Sequence, residues 1–292
     1  MKVLLIAHGV FFDPAQVVAG NSLRSFYLAK GLVAAGHSPV YVYPQNLAPY
    51  AGSTAKAQDL RIPVHTYRDP EHLAAIMAWE EPDALLVGYW ELLADLPSQV
   101  DIPLILDLVA PRILEALFQQ ERDLQHEIKG MLEHYPRADL FLVGNERQRH
   151  LIVPWLIMAG IDCREHVPVA VVPICTQPGM IRPAPPGGDV GFRFVSGGVS
   201  WPWRRTEVWF EALAQALARN EHKRGRLDLL VGNYIYAGTG SQEKSRDKGD
   251  DQTGQVRVRP LLPYARMLEY LRTQCHIGVE LADRNIEREY SQ

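Results

Sequence analysis

The sequence is poor in cysteine, in long apolar runs and in net charge, and each shortage closes off a class of function. Cys163, Cys175 and Cys275 form an odd, widely spaced set. That gives neither a zinc-ligand spacing nor a disulfide framework, and it fits a reducing cytoplasm. No stretch approaches the ~20 apolar residues of a membrane-spanning helix, so any membrane contact is expected to be peripheral. The N-terminus, one lysine before five apolar residues, does not read as a signal peptide. A net charge of −4 and a pI near 6.2 provide no electrostatic footprint for nucleic acid. His126 and His134 stand eight apart with no third ligand, so no metal is expected. Gly-x-Ser-x-Gly, Walker and Gly-x-Gly-x-x-Gly patterns are absent, which counts against hydrolase, P-loop and dinucleotide-binding readings.

What is present describes a soluble globular chain, with 47% hydrophobic and 22% charged residues. At 292 residues it has room for one large domain or two ordinary ones, taking roughly 150 residues per domain. Short apolar runs at Val3–Ala7, Pro39–Tyr43, Ala84–Val87, Pro103–Leu108, Leu140–Val143 and Val167–Val172 read as buried strands. Ile62–Tyr67 reads as a shorter one. Helical stretches lie between them, at Ser22–Val33, His72–Glu80, Ile113–Tyr135 and Glu146–Ala159, with Ser22 and Asn145 as N-caps and Pro154 expected to kink or restart the last. Pro44–Asp59 reads as a surface loop. Strands alternating with helices predict an α/β fold with a doubly wound parallel sheet.

Pro173–Gly191 is rich in proline and glycine and reads as a linker. The alternation then restarts, with strands at Phe192–Ser196, Leu227–Val231, Val256–Arg259 and His276–Leu281 and helices at Thr206–Arg219 and Tyr264–Thr273. Gly238–Gly254 is polar and expected to be mobile. The expected organisation is a Rossmann-like domain over 1–176, a linker over 177–191 and a second, smaller Rossmann-like domain over 192–292. A cleft between two such domains is a usual place for a small-molecule site.

Candidate site residues sit where strands end. Strand, small-residue loop (Ala19-Gly20-Asn21) and helix start, in that order, let backbone N–H groups face an anion, though Gly20 also serves simply as a turn. Gly197-Gly198 ends a strand, and Arg204 follows six residues after Gly198 with Arg205 beside it. A glycine turn with a cation at that reach suits a diphosphate; the plainer reading is a basic helix start capped by Thr206. Asp107 ends another strand, placed to bind a sugar hydroxyl or to cap the helix after Pro111. Trp201 and Trp203 either stack on a ring or pack the fold. Glu280–Glu289 holds six charges after a strand, a seat for sugar hydroxyls or a polar tail.

Four segments carry a family resemblance. MKVLLIAHGVFFDPAQVVAGNSLRSFYLAKGLVAAGHSPVYVY opens the chain with strand, small-residue loop, helix and strand. RADLFLVGNERQRHLI and VAVVPICTQP close the first half. FVSGGVSWPWRR and CHIGVELADRNIERE mark the second. Together they resemble the glycosyltransferases of the GT-B fold, specifically the family 4-like group that uses nucleotide-sugar donors, over nearly the whole chain. The resemblance implies retaining transfer from a nucleotide sugar to a sugar, lipid-linked or small-molecule acceptor, with no metal or other cofactor. It implies that Gly198, Arg204 and Arg205 hold the donor diphosphate, and that Gly20 and Asn21 offer amides to the phosphates or acceptor. Asp107 and Glu287 would hold sugar hydroxyls as catalytic residues. Counting from the strand points to Asn285 for the donor-sugar contact, whereas residue type points to Glu287. Val199 stands where the family usually has an arginine, and the family's second donor glutamate and last helices have no counterpart before Gln292. The second domain is therefore expected to be incomplete. A noncatalytic nucleotide- or sugar-binding module and a GT-B nucleotide-sugar epimerase are the alternatives.

Overall fold

The computed structural model describes residues 1–119, 123–174, 191–199, 201, 207–219, 225–232, 236, 256–280 and 285–291. The chain divides into two units. The first holds Met1–Asp13, Ala19–Cys175 and Asn285–Gln292, the second Pro14–Val18 and Thr176–Arg284.

The first unit alternates strand and helix: β1 (Lys2–Ile6), α1 (Gly20–Ala34), β2 (Ser38–Pro44), α2 (Ala55–Leu60), β3 (Val64–Tyr67), α3 (Pro70–Glu80), β4 (Ala84–Gly88), β5 (Leu104–Asp107), α4 (Arg112–Ala116), α5 (Leu124–His134), β6 (Leu140–Val143), α6 (Glu146–Met158) and β7 (Val169–Val171). The seven strands form one parallel sheet in the order β3-β2-β1-β4-β5-β6-β7. Each central strand is apolar along its whole length because helices cover both faces of such a sheet. Leu4, Ile6, Val42, Leu85, Val87, Leu104, Leu106, Phe141 and Val143 share one core cluster. Strand order reverses between β1 and β4, and ligands of open α/β sheets bind at that point, outside the carboxyl ends of the strands.

The second unit contains β8 (Arg193–Val199), α7 (Glu207–Arg219), β9 (Arg226–Gly232), β10 (Val256–Pro260), α8 (Tyr264–Gln274) and β11 (Ile277–Gly278). Its parallel sheet runs β10-β9-β8-β11. Leu217, Leu227, Leu229 and Val256 fill one side, and Val195, Leu230 and Cys275 the other. Pro14–Val18 belongs here for a plain reason. Pro263 precedes α8 and offers no side-chain cap, so the carbonyls of Gln16 and Pro14 accept from the first helical N–H groups, Tyr264 at 2.8 Å and Ala265 at 2.8 Å. The final helix, α9 (Ile286–Ser291), returns to the first unit and packs on α4 and α6.

Several expectations change at the level of elements. Residues 113–135 are two helices, because Asp123 caps a fresh start by accepting from the Gln125 N–H at 2.8 Å. The expected surface loop 44–59 contains a 3₁₀ turn (Gln45–Tyr50) and α2. Helix α1 begins at Gly20, two residues before the expected cap Ser22, and α6 runs through Pro154 without restarting. The last expected strand shrinks to the two residues of β11. Residues 175–190 of the expected linker and the 238–254 stretch lie outside the described residues. Asn285 to Ser291, placed by the sequence in a second domain ending at 292, lie with the first unit. Among the described residues, no helix is long and apolar enough to cross a membrane.

Candidate functional site

The crossover between β1 and β4 is built from two strand ends and the helix that follows the first. After β1 the chain passes through His8 and Gly9, where a side chain on Gly9 would drive into Ser22 and Asn21 at the start of α1. Asn21 donates its side-chain N–H to the His8 carbonyl, tying the strand end to the helix start. Tyr41 fixes the same loop from the sheet, its hydroxyl donating to the Gly9 carbonyl at 2.9 Å. Phe11 packs edge-on against both Phe26 and Tyr41. Helix α1 opens with Ala19 as N-cap, without a side-chain cap and without an acidic residue in its first turn. The positive end of its dipole therefore meets no carboxylate of its own, the condition under which such an end takes an anion.

Beside it, Asp107 ends β5. Its two oxygens accept from one guanidinium, Arg24 Nη2 at 2.9 Å and Arg24 Nε at 3.1 Å. The third guanidinium nitrogen, Nη1, donates to the carbonyls of Val172 at 2.6 Å and Pro173 at 3.0 Å. Both side chains are buried. Burial pushes the Asp107 carboxyl above its ordinary pKa, and the guanidinium works against that shift.

At the end of β4 the chain turns through Gly88, Tyr89 and Trp90. The Tyr89 ring meets His8 edge-on at 5.9 Å between centroids, and the Arg112 guanidinium lies over it at 4.8 Å. Arg112 is paired with Glu91 and stands 3.5 Å from Glu127, whose other oxygen accepts from Trp90 Nε1 at 3.0 Å. His126 and His134 do the work of a clamp. They flank the Trp90 indole at 5.3 Å and 5.7 Å, with Gly130 between them leaving the space the ring occupies.

No family model matches the chain, and no curated protein matches it in sequence. Its fold does match solved structures. The sucrose-phosphate synthase of Thermosynechococcus elongatus aligns with a TM-score of 0.63 at 15% identity, over 93% of this chain and 73% of its own. Anabaena HepE, solved with UDP and glucose, gives 0.57 at 13% identity, over 89% and 69%. An alpha-glucosyltransferase solved with UDP-glucose and abasic-site DNA gives 0.56 at 13% identity, over 98% and 73%. This chain has the GT-B fold.

Within that GT-B fold the expected site residues fall into four groups. Gly20 and Asn21 are at the crossover of the first sheet, as the opening strand-loop-helix pattern implied. Asp107 is beside them at a strand end, where each of its oxygens accepts from Arg24 and so ties α1 to the sheet. Asn285 and Glu287 lie on α9, which belongs to the first unit. The Asn285 side chain accepts from the Arg288 N–H at 3.1 Å as the α9 cap, and Glu287 is 3% exposed.

The fourth group is the glycine pair of the second unit. Gly197 and Gly198 are not a turn. They are paired residues of β8, opposite Leu230 and Val231 of β9, where a side chain on Gly197 would come within 2.9 Å of the Leu230 carbonyl oxygen. Gly198 has φ at 139°, which keeps that position open to glycine. Arg204 and Arg205 lie outside the described residues, as does Trp203. Sequence reasoning missed Arg24, Tyr89 and Arg112. Arg24 and Arg112 each read as ordinary helix-start cations, and nothing local marks the partners they reach.

Proposed function

We propose that this chain transfers a sugar from a nucleotide-sugar donor to an acceptor hydroxyl, with retention at the anomeric carbon and without a metal. The observation that carries the reading is the acid-free first turn of α1, with Ala19 as its N-cap residue, at the strand-order reversal of a GT-B sheet. That position offers backbone N–H groups to the anionic half of a diphosphate or to a polar acceptor, with Gly20 and Asn21 in the first turn.

The chemistry asked of such a site is modest. When the glycosidic bond to the leaving nucleoside diphosphate breaks, negative charge grows on the phosphate oxygens. Groups preorganised around that charge lower the barrier. Arg204 and Arg205, following the glycines of β8 in sequence, supply that charge in this reading. Gly198 gives the diphosphate close approach to the backbone. Glu287 and Asn285 contact the donor sugar in this reading. The acceptor lies against the ends of β1 and β4.

The test has three arms. UDP, GDP, ADP and TDP are each titrated while the thermal midpoint is read, since a ligand of the folded chain raises it. Labelled nucleotide sugars are then offered with a mixture of glycoside and lipid-linked acceptors, and product is scored for anomeric configuration. Finally, Arg204→Ala is compared with the parent chain. A shift with one nucleoside diphosphate, transfer with retention, and loss of both in Arg204→Ala are expected. Binding without turnover would turn the reading into a noncatalytic module, free sugar released without an acceptor would turn it into an epimerase, and no binding at all would end it.

A further inference from the structure

Tyr89 has backbone torsions of φ 65° and ψ 158°, a region that glycine enters freely and a bulky side chain enters only when its surroundings impose it. Glycine would serve the turn better, and the preceding residue, Gly88, is one. An aromatic residue is nevertheless kept at the strained position.

The surroundings that impose it can be named. The Tyr89 N–H donates to the Asp107 carbonyl at 3.2 Å, so its backbone continues the β4–β5 ladder. The next residue, Trp90, is gripped by α5 through the two imidazoles, the Gly130 notch and the Glu127 carboxylate. On the ring itself sits the Arg112 guanidinium, whose side chain is 10% exposed and is held by Glu91 and Glu127. The ring is thus fixed from its backbone, from its neighbour and from one face. The His8 ring stands nearly perpendicular to it with centroids 5.9 Å apart, and the tyrosine remains partly exposed at the crossover of the sheet. Strain that a buried network maintains at a ligand-binding position of the fold is a mark of preorganisation.

We propose that Tyr89, with His8 beside it, is the wall that recognises the acceptor, and that Arg112 is its positioning residue; the acceptor role rests on the transferase reading above. A rigid aromatic ring beside an imidazole suits a hydroxyl-bearing ring such as a pyranose. The apolar ring face packs on the tyrosine, while hydroxyls reach the phenol and imidazole, both of which donate and accept.

The test uses Tyr89→Gly and Tyr89→Phe in the full chain, with p-nitrophenyl α- and β-glucopyranoside as probes in titration calorimetry. If the ring is there for a ligand and the backbone bears the cost, Tyr89→Gly keeps or raises the thermal midpoint while probe binding weakens at least tenfold, and Tyr89→Phe binds within about threefold of the parent. A fall in the midpoint of Tyr89→Gly would make the tyrosine a packing residue and overturn the inference. So would unchanged probe binding, or a parent chain that binds neither probe. Where the parent transfers sugar, the acceptor KM should rise in Tyr89→Gly with the donor KM unchanged. An unchanged acceptor KM would sink this inference and leave the transferase reading standing. Probe binding lost in Tyr89→Gly, with no transfer by the parent from any nucleotide sugar, would keep the wall and remove the transferase.

Discussion

Replacing Arg24 by alanine would leave the Asp107 carboxylate buried without its counterion, and the carbonyls of Val172 and Pro173 without their donor. Breaking a buried pair on one side costs about 3–5 kcal/mol, which chemical denaturation would read directly. The double variant Arg24→Met/Asp107→Leu should lose less than Arg24→Ala alone, because no charge is then stranded. A loss of under about 1 kcal/mol in Arg24→Ala would mean that the pair is solvated in solution. One half of this pair was legible in the sequence. Asp107 stands at the polar end of an apolar strand, so its place at the sheet's carboxyl edge could be read. Its partner could not, since Arg24 is 83 positions away and looks locally like any cation near a helix start. A carboxylate at a strand end can therefore be placed from sequence, while the cation that binds it cannot.

Helix α5 shows what an element hides. His126, Gly130 and His134 are spaced four apart and share one face, and that face holds the Trp90 indole. In the sequence the two histidines suggest a failed metal site and the glycine a weak helix position. In the fold they are a slot. Gly130→Ala should gain up to ~1 kcal/mol in helix propensity. Its Cβ, however, would stand 2.5 Å from the indole, a clash with a ring clamped on both sides. Overpacking of that kind costs about 1–3 kcal/mol, so the net effect is a loss, visible as a lower urea midpoint. The same slot makes α5 sensitive to acid. Burial lowers the pKa of His134, with Glu133 raising it and Arg137 lowering it further by smaller amounts. The folded chain then takes up the proton less readily than the unfolded chain. The stabilisation is whole above the unfolded imidazole value and is lost as pH falls from there through the lower folded value. The thermal midpoint should therefore drop between about pH 7 and pH 5, and His134→Phe, which keeps the stack, should flatten that slope. A slope unchanged in His134→Phe would assign the acid sensitivity elsewhere.

At the scale of the whole chain, the alternation of strand and helix made the α/β class and the two sheets legible, because parallel strands buried on both faces announce themselves as continuous apolar runs. What the alternation did not reveal is that two short segments change sides. Pro14–Val18 goes to the second unit by lending carbonyls to α8, and α9 goes to the first. Neither segment is long enough to carry its own address; six residues of helix are far below what stands alone in water. Their places are set by contacts instead. For α9 these are the Asn145 side chain donating to the Tyr290 carbonyl at 3.2 Å, Arg147 donating to the Glu289 carbonyl at 2.8 Å, and Tyr290 packing on the first unit's core. If α9 is part of the first unit, deleting residues 285–292 should speed amide exchange in α4 and the first turns of α6 by at least ~10-fold. Exchange in β9 and β10, which precede the deletion more closely in sequence, should stay as it was. Faster exchange confined to β9 and β10 would place the C-terminal helix with the second unit, and Glu287 with it.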